Sequence, residues 1–152
     1  MGLTRSITIQ LLTNHSRLSS FMKEFSEKVW TMKSWSGTYS STPIDDNGNF
    51  DYQDFETIEE VFHILDDSEK KKQTTALSVY HPITGEDFGL HFNFLDYEYS
   101  KQNSYELNFV FAAEKRLKNA PRHTDFSYYL NELIPKLEKM GCILYSIECS
   151  EF

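Results

Sequence analysis

The chain has 152 residues, of which 15 are basic and 23 acidic, giving a formal net charge of −8 at pH 7. Its length predicts one globular domain over residues 1–152, and its 12 Phe and 9 Tyr predict a core rich in aromatic rings. No apolar run approaches the ~18 residues of a membrane span, so no membrane partner is expected, and the acidic balance disfavours binding to nucleic acid.

The first part of the chain predicts a strand followed by a helix. Ile7, Ile9 and Leu11 alternate with polar residues over 5–12, which indicates a strand and not a signal peptide. Apolar residues then recur at spacings of three and four over 16–32, the pattern of an amphipathic helix.

The next part predicts a hairpin and a second helix. A short edge strand is expected within 37–44, and an Asn-Gly turn dipeptide leads to a returning strand at 49–52. A helix over 55–67 is expected to follow, with Asp54 as its N-cap and three lysines near its end, where cations suit the helix dipole.

A three-stranded meander over 74–81, 87–95 and 104–112 is the strongest prediction. Its alternation places polar residues, among them His91 and Asn108, on one face, and a continuous apolar wall on the other. The wall consists of Phe88, Leu90, Phe92, Phe94, Tyr105, Leu107, Phe109 and Phe111. A sheet of this kind is packed on one side and faces water on the other.

The remaining residues predict a basic connection at 114–123, a helix from Thr124 or Asp125 that contains Pro135, and a last strand at 142–150. The fold class is therefore expected to be α+β: a two-layer domain with a mainly antiparallel sheet of about five strands and about three helices packed on one face.

The two cysteines indicate a reducing compartment. Cys142 and Cys149 lie on one predicted strand, roughly 23 Å apart at ~3.3 Å per residue, and cannot form a disulfide without breaking that strand. Unpaired thiols together with the lack of a secretory signal predict a cytoplasmic protein.

The motifs that carry enzyme or metal chemistry are not found. If Gly48 took the sixth position of an EF-hand loop, Pro43 would fall on the first ligand position and Asp54 where glutamate is usual. No histidine or cysteine spacing fits a zinc site, and there is no phosphate loop or GxSxG elbow. A non-catalytic protein without a catalytic residue, metal site or cofactor is therefore expected.

The acidic residues are concentrated in one segment. Residues 34–69 contain ten acids and no lysine or arginine, so the remaining 13 acids are outnumbered by the 15 basic residues elsewhere. A solvated surface normally mixes the two signs, whereas a concentrated negative field attracts a cationic protein. The alternative is that the clustering is chance and the acids serve solubility.

The sequence therefore predicts a partner-binding face for a basic protein, with aromatic residues beside the acids as in many interfaces. Its predicted members are Trp35, Tyr39, Asp45, Asp46, Asp51, Tyr52, Glu56, Glu59, Glu60, His63, Asp66 and Asp67.

In size, acidity and lack of a catalytic set, the chain resembles the immunity proteins of bacterial toxin systems, such as contact-dependent inhibition and other polymorphic toxins. The resemblance is one of class and rests on no motif. It implies a protein that binds and neutralises a cognate basic toxin domain, such as a nuclease, through the acidic face. The oligomeric state is left open.

Two alternatives remain. A small enzyme or ligand-binding domain would use the polar sheet face around His91, Asn93 and Asn108, and predicts a concave pocket there. A nucleic-acid binder would use the four basic residues of the 114–123 connection: Lys115, Arg116, Lys118 and Arg122. The acidic field elsewhere opposes the second alternative.

Overall fold

The computed structural model describes residues 4–96 and 102–152. The strands of this part are β1 (Arg5–Thr13), β2 (Tyr39–Ser41), β3 (Gln53–Phe55), β4 (Thr75–Tyr80), β5 (Asp87–Leu95), β6 (Asn103–Phe111), β7 (Arg116–Leu117), β8 (Ala120–Thr124) and β9 (Ile143–Glu151). The helices are α1 (Leu18–Lys28), α2 (Ile58–Lys71) and α3 (Phe126–Lys139). The predicted α+β class with three helices is confirmed.

Seven strands form one antiparallel sheet in the order β3-β2-β4-β5-β6-β1-β9. The expected number of about five is wrong, because both strands of the β2–β3 hairpin add to the sheet. Ser41 pairs with Leu77 of β4, and the Thr42 N–H donates to the Ala76 carbonyl at 2.9 Å. The two edges of the sheet are therefore β3 and β9.

The predicted apolar wall on β5 and β6 is confirmed. Seven of its eight members are at most 6% exposed, and Phe94 is partly buried. Helix α1 and the residues after it place rings against the wall, with Phe25 stacked on Phe109 at 6.1 Å and Trp30 on Phe88 at 4.0 Å between ring centroids. Such ring pairs add about 0.5–1.5 kcal/mol each to the effect of burial alone.

Helix α1 is shorter than predicted and ends at Lys28. The chain turns toward the sheet there, because Thr31 and Tyr80 exchange two backbone hydrogen bonds of 3.0 and 2.8 Å. The turn leaves Trp30 1% exposed and in contact with the wall. Burial of a large ring and a new backbone pairing therefore replace the last turn of the expected helix.

Helix α2 starts three residues later than predicted, and its N-cap is Thr57, not Asp54. The Thr57 hydroxyl accepts from the Glu60 N–H at 3.4 Å, while the Glu60 carboxylate accepts from the Thr57 N–H at 3.1 Å. This capping box satisfies two backbone donors that a helix start leaves free. Phe55 belongs to β3 instead, so the returning strand lies at 53–55 and not at 49–52.

The basic connection at 114–123 contains a further hairpin, β7–β8, which the sequence analysis did not predict. The Arg5 Nε donates to the Thr124 hydroxyl at 3.0 Å, and the Thr124 N–H donates to Glu151. These contacts place the hairpin beside β1 and β9. Helix α3 starts after Asp125, one of the two residues predicted for its start, and the Asp125 carboxylate accepts from the Tyr128 N–H.

Both cysteines are free thiols, as predicted. None of the helices in the described part of the chain is long and apolar enough to cross a membrane.

Candidate protein-binding site

Four predicted site residues and Asp54, which was expected to cap a helix, form an exposed acidic stretch at one edge of the sheet. Here they are called the acidic edge: Asp51, Asp54, Glu56, Glu59 and Glu60. They follow one another from the loop before β3, through β3, into the first turn of α2. Within residues 4–96 and 102–152, no lysine or arginine forms an ion pair with any of them. Their charges therefore remain uncompensated by this part of the chain.

Two of the five also stabilise the helix that carries them. Glu59 and Glu60 lie in the first turn of α2, where negative charge suits the helix dipole, and Glu60 closes the capping box. This structural role accounts for part of the acidity at this edge. It does not account for Asp51, Asp54 and Glu56, which precede the helix and are exposed.

Three other acids of residues 34–69 accept hydrogen bonds from other residues of the chain: Asp46, Asp66 and Glu69. Asp46 is 7% exposed, and its carboxylate accepts from the backbone N–H groups of Phe50 at 2.8 Å and Asp51 at 3.1 Å. Asp66 accepts from the Ser19 N–H at 3.1 Å, and Glu69 accepts from the Leu18 N–H at 2.8 Å.

Asp66 and Glu69 therefore cap α1 from α2, because the α1 N-cap residue makes no side-chain cap of its own. Glu69 also accepts from the Tyr105 hydroxyl. The pKa of Tyr105 is raised mainly by burial and, to a smaller extent, by this hydrogen bond. Asp66 was predicted to belong to the exposed partner-binding face. The structure turns it toward α1 instead.

Asp45 and Asp67 share one cation. The Lys71 ammonium lies 2.9 Å from Asp45 and 3.0 Å from Asp67, and these hydrogen bonds raise the pKa of Lys71. This network ties the loop after β2 to the last turn of α2. It also neutralises charge that the sequence analysis counted toward the partner-binding face.

The predicted aromatic members differ in exposure. Trp35 is 98% exposed at the tip of the turn that precedes β2. Tyr39, the first residue of β2, is partly buried and pairs with Phe55, the last residue of β3. The turn that carries Trp35 therefore lies near the point where β3 leads into α2. Trp35 is therefore an exposed ring at the end of β2 that lies beside the β3–α2 part of the acidic edge.

Tyr52 lies over the polar face of the sheet, which is the face opposite the apolar wall. Its hydroxyl is 3.5 Å from the position that a Cβ on Gly89 would take, and burial together with Asp46 raises the pKa of Tyr52 to about 12. The neighbouring Phe50 stacks on His91 with 4.5 Å between ring centroids. Phe50 has a φ of +57°, an unusual value for this residue type, and its N–H is held by Asp46.

An apolar groove of about 390 Å³ lies beside the acidic edge, between the β2–β3 hairpin and α2. Its lining, here called the α2 groove, consists of Pro43, Ile44, Gln53, Phe55, Glu60, His63 and Ile64. Ile44 is 41% exposed and Ile64 is 3% exposed, so the groove has an open apolar wall and a buried floor. Among the predicted site residues, Glu60 and the exposed His63 line it.

The apolar members of this groove were not among the predicted site residues. Phe55 fitted the apolar stripe of the expected helix and Ile64 was left outside that stripe, and nothing in the sequence separates a groove floor from a core. The one available signal was Ile44, an apolar residue between Pro43 and two aspartates.

The polar face of the sheet is satisfied by its own residues. The Asn93 amide donates to Glu106 at 3.0 Å, Gln10 donates to the same carboxylate at 2.9 Å, and Thr8 donates to Asn108 at 3.0 Å. Burial lowers the pKa of His91, which the Phe50 ring covers. These contacts favour a structural role over the ligand-binding alternative.

Two polar pairs near the start of β5, one buried and one partly buried, were also unpredicted. His81 contacts Glu132 of α3 at 2.8 Å through Nε2, and its Nδ1 accepts from the Ile83 and Thr84 N–H groups. Glu86 accepts from the Tyr129 hydroxyl at 2.8 Å and from the Glu114 N–H at 3.0 Å. Each group has its partners inside the fold, which indicates that the pairs join α3 to the sheet.

The other edge of the sheet carries a second exposed apolar surface. Ile143 is 53% and Ile147 is 41% exposed on β9, beside a groove of about 430 Å³ against α3. Glu138 is the single charged residue among the described residues that line it. The α2 groove differs from it in lying next to a run of like charges.

No protein-family model, no curated protein and no solved structure matches this chain.

Proposed function

We propose that this chain is a non-catalytic protein-binding module of the immunity-protein type, which binds and neutralises a basic toxin domain such as a nuclease. The observation that carries the proposal is that the acidic edge, the α2 groove and the exposed Trp35 lie together at the β2–β3 edge of the sheet. Carboxylates without internal partners steer a cationic protein, while an apolar groove and an exposed ring supply the area that a stable complex buries.

The acidic edge is narrower than the predicted binding face. Asp45, Asp46, Asp66 and Asp67 make contacts with other residues of the chain. The proposed interface therefore keeps Trp35, Asp51, Glu56, Glu59, Glu60 and His63 from the predicted face and adds Asp54. In this proposal the chain acts in the cytoplasm, where a nuclease toxin would meet its substrate. Its helices are expected to form one layer on the wall face, which leaves the β3 edge accessible.

Growth rescue tests the proposal. Toxin domains encoded immediately upstream of the gene for this chain are expressed in a bacterial host, with and without the chain. The wild type is expected to restore growth, and the triple variant Glu56→Lys, Glu59→Lys, Glu60→Lys is expected to lose that ability.

A matched triple variant, Glu27→Lys, Glu138→Lys, Glu148→Lys, makes the same charge change at exposed positions away from the acidic edge. It is expected to rescue growth like the wild type. Loss of rescue in both variants would mean that net charge, and not the acidic edge, carries the effect. A wild type that rescues no toxin would overturn the proposed function.

A further inference from the structure

The β7–β8 hairpin displays an apolar side chain between cations. Leu117 is 41% exposed, and its neighbours Arg116 and Lys118 are exposed on either side. The Arg116 guanidinium donates to the carbonyls of Ala113 at 3.1 Å and Pro121 at 3.4 Å, which fixes the cation on the hairpin. Leu117 pairs with Ala120 across a two-residue turn, so it stands at the hairpin tip.

The hairpin cations have no acidic partner in the described part of the chain. No ion pair joins Lys115, Arg116, Lys118 or Arg122 to a carboxylate of residues 4–96 and 102–152. The Lys115 ammonium instead lies 5.2 Å from the centre of the Tyr128 ring. The molecule therefore carries uncompensated positive charge at this hairpin and uncompensated negative charge at the acidic edge.

The two charged surfaces are too far apart to meet within one molecule. The hairpin is fixed to Arg5 of β1 and to Glu151 of β9, whereas the acidic edge belongs to β3, the strand at the opposite edge of the sheet. Five strand spacings separate β3 from β1 in the strand order, which is roughly 24 Å at ~4.8 Å per spacing. Only a hairpin from another molecule can reach the groove.

The α2 groove has the complementary chemistry. Its apolar wall and floor accept one apolar side chain, and the acidic edge lies beside it. Lys71, which lies seven residues after Ile64 on α2, is already held by Asp45 and Asp67. We infer that a second copy of this chain docks here, with its Leu117 in the α2 groove and its Arg116 and Lys118 against the acidic edge.

This contact is heterologous, because the surface that one copy offers differs from the surface that it uses on the next. A pair joined in this way leaves a free hairpin on one molecule and a free groove on the other, so association continues beyond a dimer unless the rotation closes a ring. Two molecules of net charge −8 repel each other at long range, and the contact is therefore weak. It competes with the basic partner of the proposed function for the same groove, but it does not depend on that function.

Sedimentation equilibrium of the purified chain tests the inference. In about 50 mM salt the weight-average mass is expected to rise above 17.9 kDa as protein concentration increases. In about 500 mM salt it is expected to return to the monomer mass, because salt screens exposed charge pairs. A monomer mass at every concentration and both salt levels would overturn the inference and leave the proposed function standing.

Two variants separate the surfaces. The hairpin variant carries Leu117→Ser with Lys118→Glu, and the groove variant carries Ile44→Lys with Glu56→Lys; all four positions are exposed. Each variant alone is expected to remain monomeric with an unchanged circular dichroism spectrum. An equimolar mixture is expected to form a dimer and nothing larger, because only one intact hairpin and one intact groove are left. A mixture that stays monomeric, a mixture that grows beyond a dimer, or a single variant that still associates would contradict the inference.

Discussion

Asp45 and Asp46 are neighbours in the sequence, yet they have opposite environments. Asp45 is exposed and shares Lys71 with Asp67, whereas Asp46 is buried and accepts two backbone hydrogen bonds from its own loop. At the level of single residues, acidity alone therefore does not identify a partner-binding carboxylate. The loop around Asp46 also places the Phe50 ring on His91 and so fixes the start of the acidic edge.

Replacement of Asp46 by alanine is expected to lower the free energy of unfolding by about 1.5–3 kcal/mol, the usual value for a hydrogen bond to a charged group. The backbone N–H groups of Phe50 and Asp51 would lose their acceptor. Urea denaturation followed by circular dichroism measures the effect. Asp45→Ala is the matched control and is expected to change stability by about 1 kcal/mol or less, because its ion pair is exposed. Equal losses in the two variants would contradict this account of the loop.

His91 gives the fold a dependence on pH. Burial lowers its pKa from the ordinary value of 6.5, so the folded state prefers the neutral ring. As the pH falls below about 6.5, the unfolded chain takes up a proton that the folded chain does not, and stability is lost down to the folded-state pKa. The contribution is fully present above the unfolded-state pKa.

The wild type is therefore expected to lose more stability between pH 7.5 and pH 5.5 than a His91→Gln variant does. Urea denaturation at a series of pH values measures both curves, and the difference between them isolates His91 from the other histidines. Parallel curves for the two proteins would show that His91 is not buried as described.

At the level of helices and strands, hydrophobic periodicity predicted those features that depend on residues close together in the sequence. The wall on β5 and β6 was predicted residue by residue, because alternation over nine-residue strands leaves little ambiguity. The start of α2 was misplaced although Thr57 and Glu60 form a readable capping-box motif, since Phe55 also fitted the helical stripe. The caps that α2 provides to α1 join residues about 50 positions apart, and no local pattern contains them.

The Thr57 cap gives a prediction for α2. Thr57→Ala is expected to destabilise the protein by about 0.5–2 kcal/mol, because the Glu60 N–H would lose its side-chain acceptor at the helix start. Thr57→Ser keeps the hydroxyl and is expected to change stability by less than about 0.5 kcal/mol. Thermal unfolding of both variants checks the pair. An alanine variant as stable as the serine variant would contradict the assignment of Thr57 as the cap.

At the level of the whole molecule, charge and sheet order act together. The β2–β3 hairpin adds to the sheet at the edge opposite β9, and this carries the acidic edge away from the basic β7–β8 hairpin. The sequence could show that the net charge is local to residues 34–69, but strand order decides where that charge lies. Strand order depends on pairings such as that of Ser41 with Leu77, which the sequence pattern does not specify.

The central claim is that the acidic edge attracts and binds a cationic protein. The most direct test is the association rate constant with the toxin domain identified by growth rescue, measured by stopped-flow fluorescence across a range of salt concentrations. The wild type is expected to associate faster as salt falls, and Glu56→Lys, Glu59→Lys, Glu60→Lys is expected to be slower by at least about tenfold at low salt. The matched variant Glu27→Lys, Glu138→Lys, Glu148→Lys is expected to stay within about twofold of the wild type, because steering depends on charges near the contact. Equal slowing of the two triple variants, or a wild-type rate that does not respond to salt, would contradict the claim.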